Sequence, residues 1–283
     1  MTSIQSICIC GAGTMGAGIA QVAAQAGFHT ILYDVNKEML AKAETGIRNN
    51  LQLLAGRNKI TAAEKDSAIH KLRFTAAMND CIADVFIEAI VENAAIKAGL
   101  FNQLNEMNHS EVIFATNTSS LSVTTIAATV MNPQRVVGMH FFNPAPVMKL
   151  VEVVKGDQTN DETIEIIMSL AKQMGKTPVL CKDAPGFIVN HVARPYYLEA
   201  LRLMEAGVAD PETIDKLLEA SGFKMGPFKL MDLIGNDVNY AVSCSVYEAM
   251  GKPERLKPSA IQKEKVEKEE LGRKTGKGYY RYD

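Results

Sequence analysis

Short apolar runs alternate with amphipathic stretches along the first two thirds of the chain. Ser6 to Cys10 is a β-rich run that ends in Gly11-Ala12-Gly13-Thr14-Met15-Gly16. Ala17 to Ala26 is small and apolar, a helix able to lie close against a sheet, and Gly27 stands where such a helix ends. His29 to Tyr33 is a second strand that runs into Asp34. This succession is a βαβ unit and predicts parallel strands in an α/β class. Asn36 to Leu54 carries Lys37, Glu38, Lys42, Glu44 and Arg48 on a wet side. Thr61 with Glu64 is a capping-box pattern opening a second helix towards Lys71. This helical pair breaks the simple alternation. A substrate-gripping insertion and a plain surface excursion fit it equally. Further strands are predicted over Asp84–Ile90, Val112–Thr116, Val136–Phe142, Leu150–Val154 and Thr177–Cys181. Helices are predicted over Ile96–Met107 and Asp161–Met174. Asn143-Pro144-Ala145-Pro146 is a turn, because two prolines exclude regular structure there.

At Asp183-Ala184-Pro185-Gly186 the pattern changes, and strand signals all but cease. Ile188 to Glu205 is a long helix. Asp210-Pro211-Glu212 supplies an N-cap, a first-position proline and an acid in the first turn of a helix ending near Gly222. Val238 to Met250 is another helix, and Lys263 to Lys268 alternates charge as an exposed helical face does. The chain therefore divides into a mostly parallel α/β domain over 1–185 and an all-helical domain over 186–283.

Composition narrows the class. The 283 residues are 47% hydrophobic, with a net charge of −2 and a pI near 6.2. That supports a globular core and gives no bulk attraction to nucleic acid or an acidic membrane. The five cysteines are scattered without any C-x-x-C, so no metal site is expected, and Cys8 and Cys10 read as buried thiols. The N-terminus has no basic leader, and no apolar run reaches the ~20 residues of a membrane span. A soluble protein of a reducing, cytoplasmic compartment is expected.

The chemistry begins at the glycine turn. Gly11-x-Gly13-x-x-Gly16 alone is weak, but here a strand precedes it and a helix, a strand and an acid follow. Gly11 allows the tight turn, Gly13 lets backbone approach a pyrophosphate, and Gly16 lets helix and strand pack closely. The helix start offers N–H groups to phosphates. Asp34 can accept both ribose hydroxyls and would repel a 2′-phosphate, which favours NAD over NADP. Its competing reading is a helix cap. The first domain is thus of Rossmann type. His140 lies at a strand end and Glu152 inside an apolar strand, Leu150 to Val154. Imidazole is suited to proton transfer near neutral pH, and a carboxylate can orient it. The pair reads equally as a base with its orienter and as a buried ion pair. Ser119 follows a strand without a G-x-S-x-G context. It is a candidate to hold a substrate oxygen, while Ser119 or Ser122 could equally cap a helix. Asn190 sits in the first turn of the helix opening the second domain. His29, His70, His109 and His191 receive no role. A dinucleotide, a base with its acid, and hydroxyl and amide groups together suggest an alcohol–ketone oxidoreductase.

The stretches GAGTMGAGIAQVAAQAG, IEAIVEN, ATNTSSLSV, GMHFFNPAPVMKLVEVV, KDAPGFIVN and GRKTGKGYY occur in order along the chain. On these, the sequence resembles the L-3-hydroxyacyl-CoA dehydrogenases end to end, most of all the bacterial 3-hydroxybutyryl-CoA dehydrogenases. The resemblance implies that His140 takes the 3-hydroxyl proton as hydride leaves C3 for NAD, with Glu152 orienting it. It implies that Ser119 bonds the 3-oxygen and Asn190 a substrate oxygen. It assigns the cofactor to Gly11, Gly13, Thr14, Met15, Gly16, Asp34, Glu92, Lys97, Asn117, Asn143 and Lys274. Relatives that grip CoA phosphates with a serine and a lysine have Asn50 and Arg57 as loose counterparts here. A homodimer through the helical domain, closing over an acyl-CoA thioester, is implied as well. A dehydrogenase of a free hydroxy acid or sugar acid, or a non-catalytic NAD-binding protein, is the alternative.

Overall fold

The structure is a computed structural model and describes residues 4–282. Two compact units divide the chain, Met1–Asp183 and Ala184–Asp283. The first unit runs β1 (Ser6–Cys10), α1 (Thr14–Gln25), β2 (His29–Tyr33), α2 (Lys37–Gly56), α3 (Ala62–His70), β3 (Leu72–Thr75), β4 (Val85–Glu88) and α4 (Ala94–Met107). It continues with β5 (Ile113–Thr116), α5 (Val123–Ala127), β6 (Val136–Phe141), β7 (Leu150–Lys155), α6 (Asp161–Gln173) and β8 (Thr177–Lys182). The eight strands form one sheet in the order β3-β2-β1-β4-β5-β6-β7-β8. The six from β3 to β6 are parallel, β7 runs antiparallel to β6, and β8 is parallel to β7.

Helices cover both faces of this sheet, which is why its central strands are continuous apolar runs rather than alternating ones. All residues of β4, β5 and β6 are buried. One face is filled by Ile7, Ile9, Ile87, Ile113 and Val137 against Ile19 of α1. On the other face Phe114 packs between Phe101 and Phe86, with ring centroids 5.0 and 5.6 Å away. Each such side chain contributes roughly 1.5–3 kcal/mol by leaving water.

The helical pair is not a plain excursion. α2 and α3 form the crossover between β2 and its parallel neighbour β3, and α2 buries Leu40, Ala43, Ile47 and Leu51. The capping box at Thr61 and Glu64 is formed. β3 itself had left no clear strand signal, because it is four residues long and half-exposed with Arg73 in its middle. α1 starts at Thr14 rather than Ala17, since the glycine turn already carries the first helical turn.

The second unit holds α7 (Val189–Glu205), α8 (Pro211–Ala220), α9 (Pro227–Ile234), α10 (Asn236–Ala249) and α11 (Ala260–Glu267). Tyr197, Leu198, Leu201, Phe228, Met231 and Val246 make its core. The pattern had not marked α9, an eight-residue helix opened by Gly226 and Pro227. Asp232, on α9, is buried and accepts from Asn236 Nδ2, the Tyr279 and Tyr280 N–H groups and the Tyr282 hydroxyl at 2.9–3.0 Å. It fixes the C-terminal segment onto the helices. Among the described residues no helix is long and apolar enough to cross a membrane.

Candidate active site

Parallel register brings the carboxyl ends of β1, β2, β4, β5 and β6 to one edge of the sheet, the edge where such folds bind ligands. The glycine turn lies after β1. Gly11 has φ of +104°, and a Cβ there would stand 2.6 Å from the Ala89 carbonyl oxygen. A Cβ on Gly16 would stand 1.7 Å from the Gly11 oxygen, so only glycine permits this contact of strand and helix. Gly13 has nothing within 4 Å of its would-be Cβ. Its bare backbone opens α1, whose first turn carries no side-chain cap and no acid. This cradle suits a phosphate group. Thr14 is exposed there, and the half-buried Met15 packs against the core.

Asp34, just past β2, accepts from the Ala12 N–H at 2.7 Å through one oxygen and from the Asn36 N–H at 2.8 Å through the other. The cap of α2 is Asn36, which accepts from Glu38 and Met39. Asp34 therefore braces the glycine turn, and the lone pairs left on its oxygens suit ribose hydroxyls.

His140 and Glu152 are direct cross-strand partners on the antiparallel β6–β7 pair. The imidazole Nδ1 lies 2.8 Å from Glu152 Oε2, and the residues are 5% and 1% exposed. When Nδ1 donates to the carboxylate, the lone pair of the neutral ring falls on Nε2. Phe142 packs beside the imidazole at 4.5 Å. Gly138 permits the strand approach, since a Cβ there would meet that of Val154 at 2.6 Å. Asn117, after β5, accepts from the Phe141 N–H at 2.8 Å and ties the two strand ends together.

Ser122 is the cap of α5, accepting from the Thr125 N–H, so Ser119 is not the cap. The Ser119 N–H instead donates to Glu92 Oε1 at 3.3 Å. The same oxygen accepts from the hydroxyls of Thr118 and Ser120. Lys97, which the family resemblance assigns to the cofactor site, is buried. Its ammonium lies 2.5 Å from Glu88 and 3.1 Å from Glu92. Burial pushes the Glu88 carboxyl above its ordinary range, against the pull of Lys97.

Asn143 lies on the turn after β6. Lys176 holds that turn through the carbonyl oxygens of Ala145 and Met148, at 2.5 and 2.9 Å. Burial lowers the Lys176 ammonium pKa, with Lys149 adding to it. A cavity of about 480 Å³ brings Gly13, Thr14, Asn143, Asn50, Arg57 and Lys42 to one lining. Lys42 had been read only as part of a wet helical face.

In the second unit Asn190 lies in the first turn of α7, and its carbonyl oxygen accepts from Arg194 Nε at 3.1 Å. Lys274 is exposed and held by both oxygens of Asp237 at 2.6 Å. The remaining histidines have local partners: Lys71 for His29, the Asp66 oxygen for His70, Asp84 for His109 and the Pro185 oxygen for His191. All five cysteines are free, and burial raises the Cys8 thiol. Among the described residues no group of three His, Cys, Asp or Glu could hold a metal ion. Glu88, Lys42 and Lys176 carry no sequence signal of their own. Only the register and the folded turns reveal what they touch.

Residues 6–184 match the model of the 3-hydroxyacyl-CoA dehydrogenase NAD binding domain, and residues 186–282 that of the C-terminal domain. The chain belongs to the 3-hydroxyacyl-CoA dehydrogenase family. Its first unit is the NAD-binding domain of that family. It is 48% identical to the 3-hydroxyadipyl-CoA dehydrogenase of Escherichia coli, across 99% of this chain but 59% of that protein. It is 40% identical to a probable 3-hydroxybutyryl-CoA dehydrogenase of Deinococcus radiodurans, across 97% and 99%. The crystal structure of an Escherichia coli 3-hydroxybutyryl-CoA dehydrogenase superposes with a TM-score of 0.95 at 48% identity, covering 99% of this chain and 60% of that one.

Proposed function

We propose that the chain is an NAD-dependent oxidoreductase converting (S)-3-hydroxyacyl-CoA into 3-oxoacyl-CoA and back, with 3-hydroxybutyryl-CoA and acetoacetyl-CoA as the acyl pair. The observation that carries this is the His140–Glu152 pair set across two strands at the ligand-binding edge. The glycine cradle and Asp34 hold the cofactor, with Thr14, Met15, Glu92, Lys97, Asn117, Asn143 and Lys274 around it. NAD supplies the hydride acceptor when bound. His140 removes the 3-hydroxyl proton at Nε2, and Glu152 stabilises the imidazolium that results. Ser119 and Asn190 hold substrate oxygens.

The cavity lined by Asn50, Lys42 and Arg57 supports a polyanionic substrate such as CoA: two cations and an amide converge there beside the glycine turn. We assign cofactor binding to residues 1–185, and substrate contact and dimerisation to 186–283. The exposed Leu203, Val208, Leu217, Phe223 and Val238 favour a homodimer through the helical unit. Five free thiols agree with a reducing, cytoplasmic setting.

Acetoacetyl-CoA, free acetoacetate and 3-oxoadipyl-CoA, each mixed with protein and NADH, decide between substrate classes. The proposal expects turnover of acetoacetyl-CoA and none of the free acid. Equal rates with and without CoA would overturn the thioester assignment. The name of the Escherichia coli relative supports a second reading, a six-carbon acyl with a terminal carboxylate. A higher kcat/KM for 3-oxoadipyl-CoA would establish that one.

A further inference from the structure

We propose that Glu88 is a positioning residue of the active site, acting on the Ser119 segment through Lys97 and Glu92. The inference rests on the reading of Ser119 as a substrate-oxygen donor. Glu88 is the last residue of β4, flanked in register by Cys10 of β1 and Thr116 of β5. It is fully buried in the middle of the sheet edge. Its Oε1 accepts from Lys97 Nζ at 2.5 Å and from the Ile90 N–H at 2.7 Å. Its Oε2 accepts from the Thr116 hydroxyl at 2.8 Å. Lys97 is buried too, and it spans from Glu88 to Glu92, whose side chain is 39% exposed.

The charges thus form a chain from the interior to the sheet edge. At its outer end Glu92 uses one oxygen on Lys97 and the other on the Thr118 hydroxyl, the Ser119 N–H and the Ser120 hydroxyl. Thr118 is itself buried, and its hydroxyl oxygen accepts from the N–H groups of Ser120 and Leu121 at 3.3 and 2.9 Å. Glu92 is therefore the clamp on residues 118–121, and Lys97 is what aims it. A well-packed apolar pair would suit a purely structural core at least as well as a buried ion pair. An ionised pair reaching a half-exposed carboxylate makes sense where that carboxylate must be held in one place. The Ile90 bond adds a second function, because Ala89 and Ile90 press on Gly11 of the cofactor turn. Glu88 so links the cofactor turn with the serine segment.

Glu88→Gln keeps the size, turns one acceptor oxygen into an amide donor that the Thr116 hydroxyl can accept, and removes the charge that holds Lys97. Lys97 then has Glu92 as its sole anion and draws it inwards, away from the serines. Hydrogen exchange on the full chain without ligands reads this directly. The amides of residues 118–121 are expected to exchange about tenfold faster or more, while those of α6 keep their protection. With NADH and acetoacetyl-CoA, kcat is expected to fall about ten- to hundredfold, as for a misplaced reacting group, with KM for the thioester little changed. Should the single variant fail to fold, Glu88→Gln/Lys97→Met carries no unpaired buried charge. It is expected to lose the same protection, because Glu92 is no longer held. Unchanged exchange at 118–121 in the folded variant, or a wild-type kcat in Glu88→Gln, overturns the inference. A wild-type protein that consumes no NADH overturns the functional reading instead, and the exchange result stands apart from it.

Discussion

Both units bury carboxylates, and they use them in opposite ways. In the second unit Asp232 and Asp215 are saturated by backbone N–H groups, an amide and tyrosine hydroxyls, none of which changes charge near neutral pH. In the first unit Glu152 meets an imidazole, and Glu88 meets a lysine that passes on to Glu92. The first arrangement is a staple. The second leaves charge that can respond to a proton or a ligand. Burial of an acid is thus no sign of function by itself; the chemistry of its partner is.

The largest effect expected from this contrast is that of His140→Gln. It should lower kcat by roughly 10²–10⁴-fold, the usual share of a general base, while denaturation stays near that of the wild type. A loss of stability with kcat kept would make the pair a staple like Asp232. Next comes Asp232→Ala, which removes the shared acceptor of the Asn236 amide, two backbone N–H groups and the Tyr282 hydroxyl. Urea denaturation should show a loss of roughly 1–3 kcal/mol, the cost of leaving hydrogen-bond donors without their acceptor. Activity per folded molecule should change far less than in His140→Gln.

Asp34→Ala should weaken NADH by about tenfold or more, as loss of a hydrogen bond to a charged group does, and narrow its advantage over NADPH. A cofactor preference that does not move would confine Asp34 to bracing Ala12. The smallest effect belongs to Glu270, partly buried and gripped by Lys265 and Lys277, which bring its pKa down to about 2 from 4.5. A lowered folded pKa means that its contribution is present above 4.5 and is lost as pH falls towards about 2. Glu270→Gln should therefore lower Tm slightly at pH 7, and the gap to the wild type should close as pH falls towards about 2.

Much of this was legible in the chain. The βαβ start, the change at residue 183 and the acid inside β7 are local patterns with direct physical causes. Competing local readings were settled by single bonds. Asn36 caps α2, so Asp34 is not the cap and braces the glycine turn at Ala12 instead. Ser122 caps α5, so Ser119 is left to the sheet edge. What stayed hidden was whatever depends on register or on a long side chain's direction. Glu88 reads as part of an apolar strand, and Lys97 is marked for the cofactor site by the family resemblance alone, with no sign of its partner. Their pairing exists only once β4 lies between β1 and β5 and α4 folds back over them. The four residues of β3 likewise become a strand only because β2 offers an edge.

The central claim is that the His140–Glu152 pair at the sheet edge performs proton transfer in a CoA-thioester reaction with NAD. Mixing the protein with NADH and acetoacetyl-CoA and following the NADH absorbance tests it most directly. The account predicts consumption of one NADH per acetoacetyl-CoA by the wild type and a rate lower by about a hundredfold or more for His140→Gln. No loss of NADH at any pH, or equal rates for the two proteins, would contradict it.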